Sequence, residues 1–191
     1  MRYRQPVCSA VLAVLLLLMP VIAQSTTIVP ADFAEMVAGS STIVHGTVID
    51  VRSQAISGRG SIESIVTIAV ITPIAGPVAS RIAFRVPNGR IGRYRRVTVG
   101  APEFAAGEEV VLFLSGRPPV VPMPFGLNQG VYRVVRAGAQ TRVIPVTPVG
   151  AGRIVRGDPV RRPVTIDAFA QQVRAILQEG RPGVPVTREP R

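Results

Sequence analysis

The run Glu109-Val-Val-Leu-Phe-Leu114 constrains this chain more than any other segment. Five apolar residues in succession leave no polar face. A strand made of them cannot lie half in water and must be covered on both sides, which places it at the centre of the fold. The partners it needs are present as further β-branched stretches, Thr42–Val51 and Ile62–Ile71. In Arg81-Ile-Ala-Phe-Arg-Val86, Ile82, Phe84 and Val86 share one face and Arg81, Ala83 and Arg85 the other, the alternation of a half-buried antiparallel strand. Tyr94–Val99, Gly130–Val135 and Thr141–Val146 complete the expected strands. Between them lie breakers: the Ser-, Gly- and Arg-rich stretch Arg52–Gly60, the prolines from Pro73 to Pro77, the turn Pro87-Asn-Gly89, and Arg117–Pro124 with its four prolines.

A helix is expected at each end. Pro30 at an early position, with Asp32 and Glu35 in the first turn, starts one over Pro30–Ala38, and Gly39 is expected as a left-handed stop. Thr165 can cap a second, in which Phe169, Val173, Ile176 and Leu177 form one apolar stripe. The chain is therefore mainly β, and a small OB-like β-barrel with a short N-terminal and a C-terminal helix is expected; a β-sandwich is the alternative. Closure into a barrel would remove exposed strand edges. The organisation is a signal peptide over 1–23, a β-barrel domain over 27–147, a Pro-, Gly- and Arg-rich connection over 148–164, the helix over 165–178 and a disordered tail over 179–191.

The signal is read from Arg2 and Arg4 ahead of the apolar run Ala10–Met19, followed by Pro20 and by small residues near Ala23. The apolar stretch is shorter than the roughly 20 residues a membrane helix needs. Cleavage is expected after Ala23, with Ser25 as the second choice, leaving no transmembrane segment. It would remove Cys8, the only cysteine, so the exported chain holds together by its core alone. The expected location is the periplasm or the extracellular space.

There is no lysine; all 22 basic side chains are arginine. Losing Arg2 and Arg4 takes the formal charge from +11 to +9. Arginine suits bidentate binding of phosphate, carboxylate or sulfate, but the complete lack of lysine also fits a GC-rich genome that uses arginine as its default cation. The densest cluster, Arg90-Ile-Gly-Arg-Tyr-Arg-Arg96, makes Arg90, Arg93, Tyr94, Arg95 and Arg96 the candidate ligand-binding residues. For an exported protein the partners these suit are envelope or secreted proteins and anionic surfaces, and nucleic acid is not expected.

Catalytic parts are sparse. His45 is the single histidine, and with Glu103 or Glu108 it is the only general-base pairing on offer. Glu103, Glu108 and Glu109 lie in a Gly- and Pro-bearing turn that leads into the buried strand, where acids commonly keep a turn solvated. Ser57, Ser61, Ser64 and Ser115 show no nucleophile-elbow pattern, and no glycine loop opens a helix after a strand. No metal-ligand spacing and no cofactor motif is present, so no catalytic residue, metal or cofactor is assigned.

Four blocks, Ala38–Val48, Pro87-Asn-Gly89, Gly100–Leu114 and Gly126-Leu-Asn-Gln-Gly-Val-Tyr-Arg-Val134, resemble a set of exported bacterial β-domain proteins. Their pattern runs A-D-x-I-V-x-G-x-V, a Pro-Gly-Gly turn, G-x-P-x-F-x-x-G-E-x-V-x-L-F-L and G-L-x-Q-G-x-F-x-V. This chain departs at Ser40–Ser41, where the pattern has an acid, and at Asn88, where it has glycine. The resemblance implies an exported β domain and carries no catalytic residues. The glycines of Gly126–Gly130 suit a tight turn or bulge in which Asn128 and Gln129 bond the backbone. The function expected is a non-enzymatic binding or interaction module; the alternatives are an arginine-mediated binder of envelope polyanions and a hydrolase using His45 and a glutamate.

Overall fold

The computed structural model describes residues 31–56, 61–77, 79–138, 140–146 and 163–180. The expected signal and most of the expected connection and tail lie outside them.

The N-terminal helix α1 (Phe33–Gly39) starts where Asp32 accepts a hydrogen bond from the Glu35 backbone N–H at 2.6 Å. Gly39 is not the left-handed stop expected of it but remains helical, and the Ser40 hydroxyl closes the turn on the Met36 carbonyl at 2.7 Å. Gly39 is small for another reason: a Cβ there would stand 2.5 Å from the Phe125 ring.

Strands β1 (Thr42–Ile56) and β2 (Ser61–Ala75) form a long antiparallel ribbon. Two expected breaks are thereby corrected. Residues 52–56 continue β1 rather than opening a loop, because beyond the core the ribbon is solvated and polar residues pair across it: Gln54 donates to Glu63 at 2.8 Å. Pro73 does not end β2. It faces Val44 at a register shift, where a missing N–H removes no regular ladder bond. The strand ends instead at Gly76, with φ +90° and the Ser41 carbonyl 2.5 Å from where a Cβ would lie.

There follow β3 (Arg81–Val86), the small strands β4 (Gly89–Ile91) and β5 (Tyr94–Arg96), β6 (Glu109–Ser115), β7 (Met123–Pro124), β8 (Val131–Ala137), β9 (Gln140–Pro145) and β10 (Val164–Thr165), then helix α2 (Ile166–Glu179). Thr165 caps α2 by accepting from the Ala168 N–H at 3.3 Å. One eight-stranded antiparallel sheet runs β10-β9-β8-β6-β1-β2-β3, with β7 also on β6; β4 and β5 form a separate two-stranded sheet. The sheet is not a closed barrel, and the second sheet is too small to make a sandwich. Closure is unnecessary here. β10 is only two residues long, and β3 meets the segment before β7 through a hydrogen bond from the Arg85 N–H to the Pro122 carbonyl at 2.9 Å.

Both faces of the sheet carry a core, and β6 feeds each in turn. Val111 and Phe113 join Phe33 and Val37 of α1 and Phe169 and Val173 of α2. Val110, Leu112 and Leu114 join Val44, Val66, Ile68, Phe84 and Val86 on the opposite side. The alternation of side chains along an extended strand, applied to a run with no polar member, produces two cores from one strand.

Candidate functional site

The five candidate residues form the β4–β5 hairpin, turned by Gly92 with φ +55°. The hairpin is held on the β1–β2 ribbon by its backbone. Ser53 accepts from the Arg90 N–H at 2.9 Å, and the Ser64 hydroxyl donates to the Asn88 carbonyl at 2.8 Å. Gly89 permits this approach, since a Cβ would come within 2.9 Å of both serine hydroxyls.

The arginines do not act alike. Arg96 reaches inward to the Ser61 hydroxyl and the Ile62 carbonyl, so it braces β2. Arg95 donates to Glu103 at 2.7 Å. Arg93 folds over Tyr94, its guanidinium 5.1 Å from the ring centre and 2.9 Å from the phenol oxygen. The Arg90 guanidinium has no partner among the described residues. Arg90 and Arg95 are cross-strand partners, so two like charges share one face, and among the described residues only Glu103 offsets them. Tyr94 is 61% exposed, and Ile91, Val97 and Val99 are exposed beside it. Of the strand expected over Tyr94–Val99, only Tyr94–Arg96 is paired.

His45 is 6% exposed and lies on the helix-bearing face. The pairing expected of it is corrected: Glu103 goes to Arg95, and Glu108 goes to Arg133 and to the Ala105 N–H. The partner is Glu109, whose Oε1 is 2.8 Å from His45 Nε2 and whose Oε2 accepts from Arg136 at 3.1 Å. Strand alternation explains the choice. Glu109 shares its face with Val111 and Phe113, whereas Arg133, the partner of Glu108, stands over Phe104 on the far side. Which glutamate meets His45 depends on the β1–β6 pairing, and no local pattern in the sequence signals it. An ionised carboxylate only accepts, so Nε2–H is the donor in this bond.

His45 opens onto a cleft of about 450 Å³ between β2 and the first turns of α2, with Thr72, Ile74, Ile166, Asp167, Gln171 and Arg174 around it. A larger groove of about 1020 Å³ between the ends of α1 and α2 is mainly apolar. In the Gly126–Gly130 turn, Gln129 Oε1 accepts from the Ala31 N–H at 2.7 Å, a backbone bond as expected but to a distant segment. Asn128 is buried with Oδ1 unpartnered among the described residues.

Removing Glu109 should weaken the fold more than removing its exposed partner. Glu109→Ala leaves the buried His45 N–H without an acceptor, for a loss of about 1–3 kcal/mol, while Arg136→Ala should change stability by less than about 0.5 kcal/mol. Denaturant titration of both variants checks this, and equal losses would contradict it.

Among the described residues no cluster of three or more His, Cys, Asp or Glu could hold a metal ion, and no helix is long and apolar enough to cross a membrane. No family model matches the chain, and neither a curated protein nor a solved structure matches it.

Proposed function

We propose that this protein is an exported, non-enzymatic binding module that attaches to anionic envelope surfaces through the β4–β5 hairpin. The observation that carries this is the face shared by Arg90 and Arg95. Like charges placed directly opposite destabilise a strand pair, and a surface of anionic groups would relieve that repulsion. The exposed Ile91, Tyr94, Val97 and Val99 beside the arginines favour lipid head groups over a purely polar polyanion, because they offer apolar area next to the charge. The export component is supported by Arg2, Arg4 and the Ala10–Met19 run, and by the resemblance of Gly100–Leu114 to exported β-domain proteins.

Co-sedimentation with vesicles tests the proposal. The protein should bind mixed phosphatidylglycerol and phosphatidylcholine vesicles, fail to bind pure phosphatidylcholine, and lose binding steeply as salt rises. Reversing Arg90 and Arg93 to Glu should lower the affinity roughly tenfold or more, while leaving Arg95 and Arg96 in their contacts. Reversing Arg81 and Arg117 changes net charge equally and should have a much smaller effect. Equal losses in the two double variants would show a charge effect with no site, and tighter binding to heparin than to the anionic vesicles would overturn the choice of lipid.

A further inference from the structure

Strand β3 ends the sheet, and its outer edge is only partly covered. The alternation of an antiparallel ladder sets which backbone groups face outward. The Val70 N–H donates to the Ser80 carbonyl at 2.9 Å, so Ser80, Ile82 and Phe84 turn their backbone groups to β2. Arg81, Ala83 and Arg85 turn theirs away. The Arg85 N–H is taken by the Pro122 carbonyl at 2.9 Å, and there the cover stops. The backbone groups that Arg81 and Ala83 turn outward have no partner among the described residues. These two arginines flank the open stretch on one face, their backbone positions about 13 Å apart along an extended strand. The Arg81 side chain is exposed and makes no hydrogen bond or ion pair among the described residues. Arg85 Nε is buried and has no hydrogen-bond partner among the described residues.

We infer that this edge takes up an extended acidic segment of another protein as an added strand. Strand addition draws affinity from main-chain hydrogen bonds and selectivity from alternate side chains. In the antiparallel sense of the rest of the sheet, one residue of the segment stands opposite Arg81 and another, two positions along, opposite Ala83. The first is an acid that meets the Arg81 guanidinium. The second is an acid diagonal to Arg85, at the roughly 7–8 Å that long side chains bridge. The residue between them points to the other face, beside Ile82 at the rim of the core, and is apolar. The segment therefore reads acid, apolar, acid. A second copy of this chain does not fit. Two-fold pairing about Ala83 would set Arg81 of one copy opposite Arg85 of the other, and like charges directly opposite repel. Charges of this kind keep an edge from its own copies and leave it matched to an acidic strand. None of these groups belongs to the β4–β5 hairpin, so the inference does not rest on attachment to lipid.

The purified protein is titrated into a fluorescent, end-capped Thr-Glu-Val-Glu-Thr peptide and binding is read by anisotropy. Saturable binding is expected, about tenfold or more tighter than for the Thr-Lys-Val-Lys-Thr peptide. Methylating the backbone nitrogens of the two glutamates keeps their charge but removes the N–H groups aimed at Arg81 and Ala83, and should abolish binding. Methylating the valine nitrogen removes an N–H that points away from β3 and should leave most of the affinity. Replacing Arg81 and Arg85 together by Gln should weaken binding about tenfold or more. Ala83→Pro removes only an outward N–H, which an edge strand tolerates, so its circular dichroism should match the parent while its peptide affinity falls. The two methylated peptides are read on the parent protein, so they test the inference whatever Ala83→Pro does to the fold. Reversal of Arg90 and Arg93 should change nothing here, which separates this edge from the hairpin. Equal affinities for the two methylated peptides would show charge attraction without strand addition, and unchanged binding in the double Gln variant would place the peptide elsewhere. Either result, or no saturation at protein concentrations on the order of a millimolar, would overturn the inference.

Discussion

Replacing Phe113 with alanine is expected to destabilise the protein by about 3–5 kcal/mol, a large part of the roughly 5–15 kcal/mol that holds a typical domain folded. Phe113 is completely buried. Its ring meets Phe33 of α1 at 5.7 Å, Tyr132 of β8 at 5.7 Å and Phe169 of α2 at 5.9 Å. Both helices therefore pack on this side chain, as they do on each other through Phe33 and Phe169, and truncation leaves a cavity at their junction. Denaturant titration should show the loss, and the helical part of the circular dichroism should melt earlier than in the parent. Val97→Ala, at a residue 67% exposed, should stay within about 0.5 kcal/mol. A loss under about 2 kcal/mol for Phe113→Ala would mean that the helices are held by other contacts.

The second large effect is expected at Gly46. A Cβ there would stand 2.5 Å from the Ala69 carbonyl oxygen and 3.3 Å from Ile68 Cδ1. The first contact is with the backbone of β2, so rotating a side chain cannot relieve it and the strand itself must move. Overpacking of this kind costs about 1–3 kcal/mol, and Gly46→Ala should lie at the upper end of that range. The register of β1 against β2 already shifts between His45 and Gly46, so the displacement falls on the residue bonded to Glu109. The single imidazole signal should move in Gly46→Ala even in dilute denaturant, where the fold persists. A stable variant with an unmoved signal would show that the strands separate more easily than their pairing implies.

Much of the fold was legible where one residue type repeated at one period. The apolar run of β6 demanded cover on both faces and has it. The alternation over Arg81–Val86 identified β3 and the face it buries, and Thr165 with the stripe through Phe169 and Val173 identified α2. The errors share a cause. Pro73 and the polar residues 52–56 look like breakers locally, but a register shift accommodates the proline, and a solvated ribbon accepts the polar side chains. The need to hide strand edges favours a barrel. The short β10 and the contact between β3 and the segment before β7 meet that need differently, because edge protection does not dictate closure. At the hairpin, the composition of Arg90–Arg96 marked the cluster. Only the contacts separate Arg96, which braces β2, and Arg95, which Glu103 offsets, from Arg90 and its open charge.

By itself, the sequence determined a thiol-poor, lysine-free, mainly β chain with a helix at each end and a central strand covered on both faces. These are properties of composition and local periodicity, which side-chain size and hydration decide residue by residue. Tertiary structure alone decided that the sheet stays open, that Glu109 rather than Glu103 or Glu108 meets His45, and that α2 sets Asp167 and Arg174 beside that histidine. Each of these depends on which strands pair and where a helix docks. His45 and Glu109 are 64 residues apart, and nothing within either segment encodes the hydrogen-bond ladder that joins them.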